Sequence, residues 1–199
     1  MLPGRTVGDL RQELIRETVR WLEHDEPDAV SLRALARRLG VSSGAPYHHF
    51  PDKLALLAAI AEEGWALLEA SMADADRQDD PRESLRERAR AYVRFALHHP
   101  AHYRVMFLPA LADAERFAAM KARSAEAFVS LAALVVQAIG TPEDPTVVPT
   151  RVMAVWSTVH GFVMLHHAGH LEFKAALLGM DSLIDGMADA AVRAALDGA

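Results

Sequence analysis

The feature that most limits what this chain can become is the period of its apolar residues. Leu10, Leu14, Thr18, Trp21 and Leu22 fall on one face of a helix, and Leu54, Leu57, Ile60 and Leu68 fall on one face of another. No stretch sustains the two-residue alternation of a half-buried strand, and no pair of such stretches flanks an Asn-Gly or Asp-Gly hairpin turn. The chain is therefore expected to be all-α.

Punctuation residues divide that pattern into segments. Pro27 lies in the loop after a first helix. Ser31 can cap a short second helix that ends at Gly40, because its hydroxyl can accept a free first-turn N–H. A third short helix is expected from about Ser43 to Phe50, with Pro46 in its first turn, where no N–H is needed. Asp52 caps a long fourth helix towards Met72. The polar stretch from Asp74 to Pro81 reads as a loop. Helices are then expected over about 82–98, 102–108, 112–139, 147–167 and 178–196, broken by Pro100, Pro109 and Gly140-Thr141-Pro142.

Half of the residues are apolar, enough for a substantial core in 199 residues. No run of 18 uncharged apolar residues suggests a membrane span, and the first residues lack the apolar run of a signal peptide. There is no cysteine, which excludes disulfides, thiolate metal sites and cysteine nucleophiles. A cytoplasmic location is expected. The net charge is −6, yet residues 1–55 hold eight basic and eight acidic side chains, so the excess acidity belongs wholly to the remainder. Between Ser31 and Lys53 stand Arg33, Arg37, Arg38 and Lys53 against Asp52 alone, with His48 and His49 nearby. A basic island on a neutral module suits a DNA-facing surface.

That island is the segment SLRALARRLGVSSGAPYHHFPDK, residues 31–53. Two short helices joined by a glycine-containing turn make a helix-turn-helix. Ala36 is small where the helices cross, and Leu35 and Val41 can fill the space between them. The second helix would enter the major groove with its N-terminal residues against base edges.

The same residues resemble the N-terminal signature of TetR-type regulators. The match runs in register through Ala36, Gly40, Val41, Ser42, Gly44, Tyr47, His49, Phe50, Lys53 and Leu54, and Ala45-Pro46 departs from it. The departure removes an expected apolar plug. The resemblance implies that Tyr47 and Lys53 contact phosphates, that Ser43, Ala45 and His48 lie near bases, and that Arg33 holds the backbone. Ser42 and Gly44 belong to the same expected DNA-binding set. Arg5, in a short basic arm, is a further candidate. Phe50 is read as a core anchor.

Two later stretches, HHPAHYRVMF (98–107) and AVWSTVHGFVML (154–165), resemble one branch of that family, whose ligand-binding domain carries a Trp…His-Gly motif. It is matched here by Trp156, His160 and Gly161, while His102 stands where the branch often has an acidic residue. Trp156, His160, Val163, Met164 and His167 share one helical face. With Tyr92, Phe95, Met106, Phe107, Met120 and Phe128 they supply the methionines and aromatics of an adaptable apolar pocket. The core of a helical bundle would use the same residues. The expected ligand-binding set is Tyr92, Phe95, Met106, Phe107, Met120, Phe128, Trp156, His160 and Met164.

The resemblance implies a DNA-binding domain over 1–51 and a ligand-binding and dimerisation domain over 52–199. It further implies a homodimer on a palindromic double-stranded operator, released by a small apolar effector. The last two helices are expected to form the dimer surface, with Ala154, Gly161, Ala168, Ala188, Ala191 and Ala195 allowing close approach. Two other classes compete. His98/His102 and His166/His170 have i, i+4 spacing, which can place two imidazoles on one metal. No His-Glu-x-x-His, Gly-x-Ser-x-Gly, P-loop or dinucleotide fingerprint accompanies them, so no metal, cofactor or enzyme activity is expected. The other competitor is a helical scaffold whose DNA module does not bind, and DNA binding that is absent or insensitive to salt would mark it.

Overall fold

The computed structural model describes residues 7–73, 75, 78–113 and 115–197, with the side chains of residues 7–9 left aside. Arg5 lies outside the described residues, as do Asp74, Asp76 and Arg77 of the expected loop. Among the described residues every regular element is helical: α1 (Val7–Leu22), α2 (Leu32–Arg38), α3 (Lys53–Met72), α4 (Pro81–His98), α5 (Pro100–Met106), α6 (Ala118–Ile139), α7 (Val147–His167), α8 (Glu172–Leu178) and α9 (Met180–Leu196). Short 3₁₀ turns occupy Pro27–Ala29, Ala45–His48 and Pro109–Leu111.

The chain forms two compact units. The first comprises Met1–Trp65 and His99–Arg123, the second Ala66–His98 and Ser124–Ala199. The core of the first unit is Leu14, Ile15 and Leu22 of α1, Leu32, Leu35 and Ala36 of α2, Leu56, Leu57 and Ile60 of α3, and Tyr103 and Val105 of α5. The hydroxyl of fully buried Thr18 donates to the Leu14 carbonyl at 2.7 Å, which satisfies it inside the helix. In the second unit α4, α7 and α9 pack on one another, and α8 packs on α9. Val152, Val155, Val159 and Val163 make one buried stripe of α7. Arg88 ties α4 to α6 by donating to Ser130 Oγ at 2.7 Å.

Three local features differ from the sequence expectation. The third helix of the DNA module is a single 3₁₀ turn, Ala45–His48. Ala45, Tyr47 and His49 donate to carbonyls three residues back, and Pro46 has no N–H to start an α-helical ladder. Helix α6 begins at Ala118, because Asp113 Oδ1 accepts from the Glu115 and Arg116 amides and closes a separate turn first. The last expected helix is present as α9, but an additional short helix, α8, precedes it, and Gly179 at φ 83° breaks the run between Leu178 and Met180.

Ala188, Ala191 and Ala195 are almost fully buried within their own chain. The α9 face expected to meet a partner is thus turned inward, because α4 and α7 need small residues to approach it. Helix α6, at 22 residues, is long and apolar enough to cross a membrane by length and composition alone, which the run-of-18 criterion missed. Lys121, Arg123 and Glu126 interrupt its first half, and Leu134 and Val135 are buried in its second.

Candidate nucleic-acid interface and effector cluster

The helix-turn-helix is built from its punctuation. The Ser31 hydroxyl accepts from the Ala34 amide at 3.2 Å and opens α2. Arg37 and Arg38 stand in the last turn, where the helix dipole favours cations. Gly40 closes α2 at φ 66°, with the Val41 amide donating to the Ala36 carbonyl and the Gly40 amide to that of Arg37. That is the paired C-terminal motif only a residue tolerant of positive φ completes cheaply. Leu35, Ala36, Pro46 and Phe50 are buried beneath the turn, and Val41 is half-buried. Pro46 is therefore itself the apolar plug that the departure at Ala45-Pro46 is expected to remove.

What remains outside lies mostly within a few residues of the turn. Ser42, Ser43, Gly44, Tyr47 and His48 are exposed, Ala45 is half-buried, and Arg33 is exposed on α2. Tyr47 is 46% exposed, among the large apolar side chains left at the surface. Lys53 is less free. Its Nζ donates to the Pro27 carbonyl at 3.4 Å and lies 3.6 Å from Asp28 Oδ1, so the α1–α2 loop holds it in place. Arg38 is spent internally: it lies 3.9 Å over the Trp21 ring and pairs with Glu17 at 3.3 Å.

The nine expected ligand residues divide between the two units. Tyr92, Phe95, Phe128, Trp156, His160 and Met164 belong to the second, and Met106, Phe107 and Met120 to the first. In the second, Tyr92 Oη lies 3.3 Å from His160 Nδ1, and the Trp156 ring centroid is 5.7 Å from that of His160. Burial lowers the His160 pKa below the ordinary histidine value, so the ring is neutral near pH 7. Phe95 is buried, whereas Phe128 and Met164 are exposed. In the first unit, Phe107 packs edge-on against Trp65 and tilted on Tyr103.

Among the described residues no three His, Cys, Asp or Glu side chains gather as metal ligands. His98 Nδ1 is bonded to the Arg94 carbonyl at 2.7 Å. Gly169, at φ 76°, ends α7 and interrupts the His166/His170 spacing.

Sequence reasoning missed a cleft of about 260 Å³ bounded by Arg16, Val19 and Arg20 of α1, Glu63 of α3 and His102 of α5. Arg16 and Arg20 are one helical turn apart and legible as a pair, but the other walls come from distant segments.

An all-helical chain that presents an exposed polar run on a helix-turn-helix belongs to the class of helix-turn-helix DNA-binding regulators. Comparison with known families makes this specific. Residues 14–60 match the bacterial regulatory proteins of the tetR family, and residues 85–191 match the tetracyclin repressor-like C-terminal domain. The chain belongs to the TetR family of DNA-binding transcription regulators, which are not enzymes and for which ligand binding and homodimerisation are typical.

Solved structures share the fold. A protein of unknown function from Rhodococcus sp. RHA1 is 27% identical with a TM-score of 0.75, each chain covered to 96%. The TetR family regulator PfmR from Thermus thermophilus is 19% identical with a TM-score of 0.68, covering 90% of this chain and 97% of that one. AibR, solved in complex with isovaleryl coenzyme A and operator DNA, is 22% identical with a TM-score of 0.60, covering 78% of this chain and 84% of that one. No curated protein sequence matches.

Proposed function

We propose that this chain is a homodimeric repressor that leaves a palindromic operator when a small, largely apolar effector binds. Residues 1–51 form the DNA-binding domain and 52–199 the ligand-binding and dimerisation domain. The observation that carries the reading is the exposed run Ser42–Gly44, Tyr47 and His48, held rigid from below by buried Leu35, Pro46 and Phe50. Tyr47 and Lys53 contact phosphates, Ser43, Ala45 and His48 meet base edges, and Arg33, Ser42 and Gly44 seat the backbone. DNA as partner makes the location cytoplasmic.

The effector site is assigned to the Tyr92, Trp156 and His160 cluster, in which a neutral imidazole and a phenol supply the few polar fixtures of an apolar pocket. This follows the Trp…His-Gly branch of the family. AibR, whose structure contains both operator DNA and an acyl thioester, supports a fold that serves both partners. Met153, Met164 and Leu165 leave α7 with exposed apolar residues, and a second copy covers them in the dimer. Two recognition turns would then sit about 34–36 Å apart, one turn of DNA. The effector must bind the two spacings unequally to shift them, and α3, unbroken from Lys53 to Met72, carries the coupling.

Selection of bound sequences from random duplex DNA at two salt concentrations tests the reading. A palindrome whose affinity falls as salt rises is expected. Tyr47→Phe and Lys53→Ala should weaken all sequences, with Lys53→Ala lowering the salt slope by about one, while Ser43→Ala and His48→Ala should change preference. Failure to enrich any site from folded, dimeric protein would overturn it.

A further inference from the structure

The cleft between α1, α3 and α5 carries charges of both signs around a polar atom with no partner. His102 is only 6% exposed, and its Nε2 has no hydrogen-bond partner. The nearest carboxylate oxygen, Glu63 Oε1, is 3.5 Å away, at the outer limit of hydrogen bonding. An unpaired buried polar atom is costly, so a group that reaches it gains free energy on binding. The imidazole is not free to swing away. Gly64 lets α3 and α5 meet so closely that a Cβ there would lie 3.2 Å from His102 Cβ and 2.7 Å from Met106 Sδ.

Across the cleft stand Arg16 and Arg20, both exposed. Arg20 pairs with Glu17 at 3.0 Å, but Glu17 is shared with Arg38, so it does not neutralise both guanidiniums. The charges exclude the simple occupants. A bare anion would meet the Glu63 carboxylate, and a metal ion would meet two guanidiniums with only Glu63 and His102 as ligands. A dipolar molecule satisfies every wall. At about 260 Å³ the space falls just below the range of about 300–1,000 Å³ for drug-sized ligands.

We propose that this cleft binds a small zwitterion of the amino-acid type, its carboxylate on Arg16 and Arg20 and its ammonium donating to Glu63 and to His102 Nε2. Val19 and the arginine stems receive its side chain. Burial keeps His102 below the ordinary histidine pKa, against the opposing charge and hydrogen-bonding pull of Glu63, and a neutral imidazole has one ring nitrogen able to accept. The site is separate from the proposed Tyr92 and His160 cluster and requires no DNA.

The test is thermal shift followed by calorimetry on the full chain, with the twenty common L-amino acids as probes. Each hit is compared with its deaminated acid and its decarboxylated amine. At least one amino acid should raise the melting temperature and bind ten- to a hundredfold more tightly than either partial analogue, the worth of about one charge-assisted hydrogen bond. Arg16→Ala, Arg20→Ala and Glu63→Gln lie at the surface and should each weaken it by a similar factor. Binding by none of the twenty, equal binding of the partial analogues, or binding unchanged in the arginine variants would overturn the proposal. Because the readout omits DNA, its failure leaves the regulator reading untouched, and failure of that reading leaves this one standing.

Discussion

Gly64 and Gly186 are both helical glycines, and alanine should stabilise one site and destabilise the other. In a helix interior alanine is favoured over glycine by about 1 kcal/mol, because glycine loses more backbone freedom on folding. At Gly186 on α9 an added methyl would meet nothing within 4 Å. Gly186→Ala should therefore gain about 0.5–1 kcal/mol, which for a chain of this size raises Tm by roughly 1–4 °C. At Gly64 the methyl would lie 2.7 Å from Met106 Sδ, 3.0 Å from its Cγ and 3.2 Å from His102 Cβ. Comfortable carbon contacts are about 3.5–4.0 Å. Met106 is 5% exposed and His102 6%, so neither has open space to retreat into. Overpacking of this kind costs about 1–3 kcal/mol, which outweighs the propensity gain and leaves Gly64→Ala about 0–2 kcal/mol less stable. Urea unfolding followed by far-UV circular dichroism reads both variants at one protein concentration. Met106→Ala in the Gly64→Ala background should recover part of the loss, a coupling of about 0.5–3 kcal/mol. If Gly64→Ala stabilised as much as Gly186→Ala, the close crossing of α3 and α5 would be refuted, and with it the anchoring of His102.

Ser31→Ala should cost about 1 kcal/mol in the same assay, since the Ala34 amide loses its acceptor; Ser31→Gly should cost only a few tenths, and equal losses would argue against capping. Stability should fall as pH drops below 6.5, because the unfolded chain takes up protons there while His102 and His160, held below that value by burial, resist until lower pH. Their contribution is fully present above pH 6.5 and lost on the way down to their folded values. His102→Gln should flatten the profile, and an unchanged slope in that variant would exclude His102 as a source. Arg90→Ala should cost at most about 1 kcal/mol, since its partners, Asp185 at 2.8 Å on α9 and Glu87 and Glu83 on α4, are all a third to a half exposed; a much larger loss would mean that the network is shielded from water in solution.

Where helices begin and end was readable from single residues. Ser31, Gly40, Asp52 and Gly140 act within a few positions of themselves, through one hydroxyl, one carboxylate or one positive φ. The exposed polar run of the turn was equally legible, because it lies within a dozen consecutive residues. The helix of the DNA module that shrank to a 3₁₀ turn was not, since Pro46 reads as helix-compatible at a first turn and only its burial shows that packing took precedence. Tertiary structure decided what depends on neighbours distant in sequence. It turned Ala188, Ala191 and Ala195 inward and divided the expected ligand residues between two units. It also brought Arg16, Glu63 and His102 to one cleft. A sequence determines a cap because both partners are local. It does not display a cleft, whose walls are set by which helix faces find each other once the apolar area of all of them competes for burial.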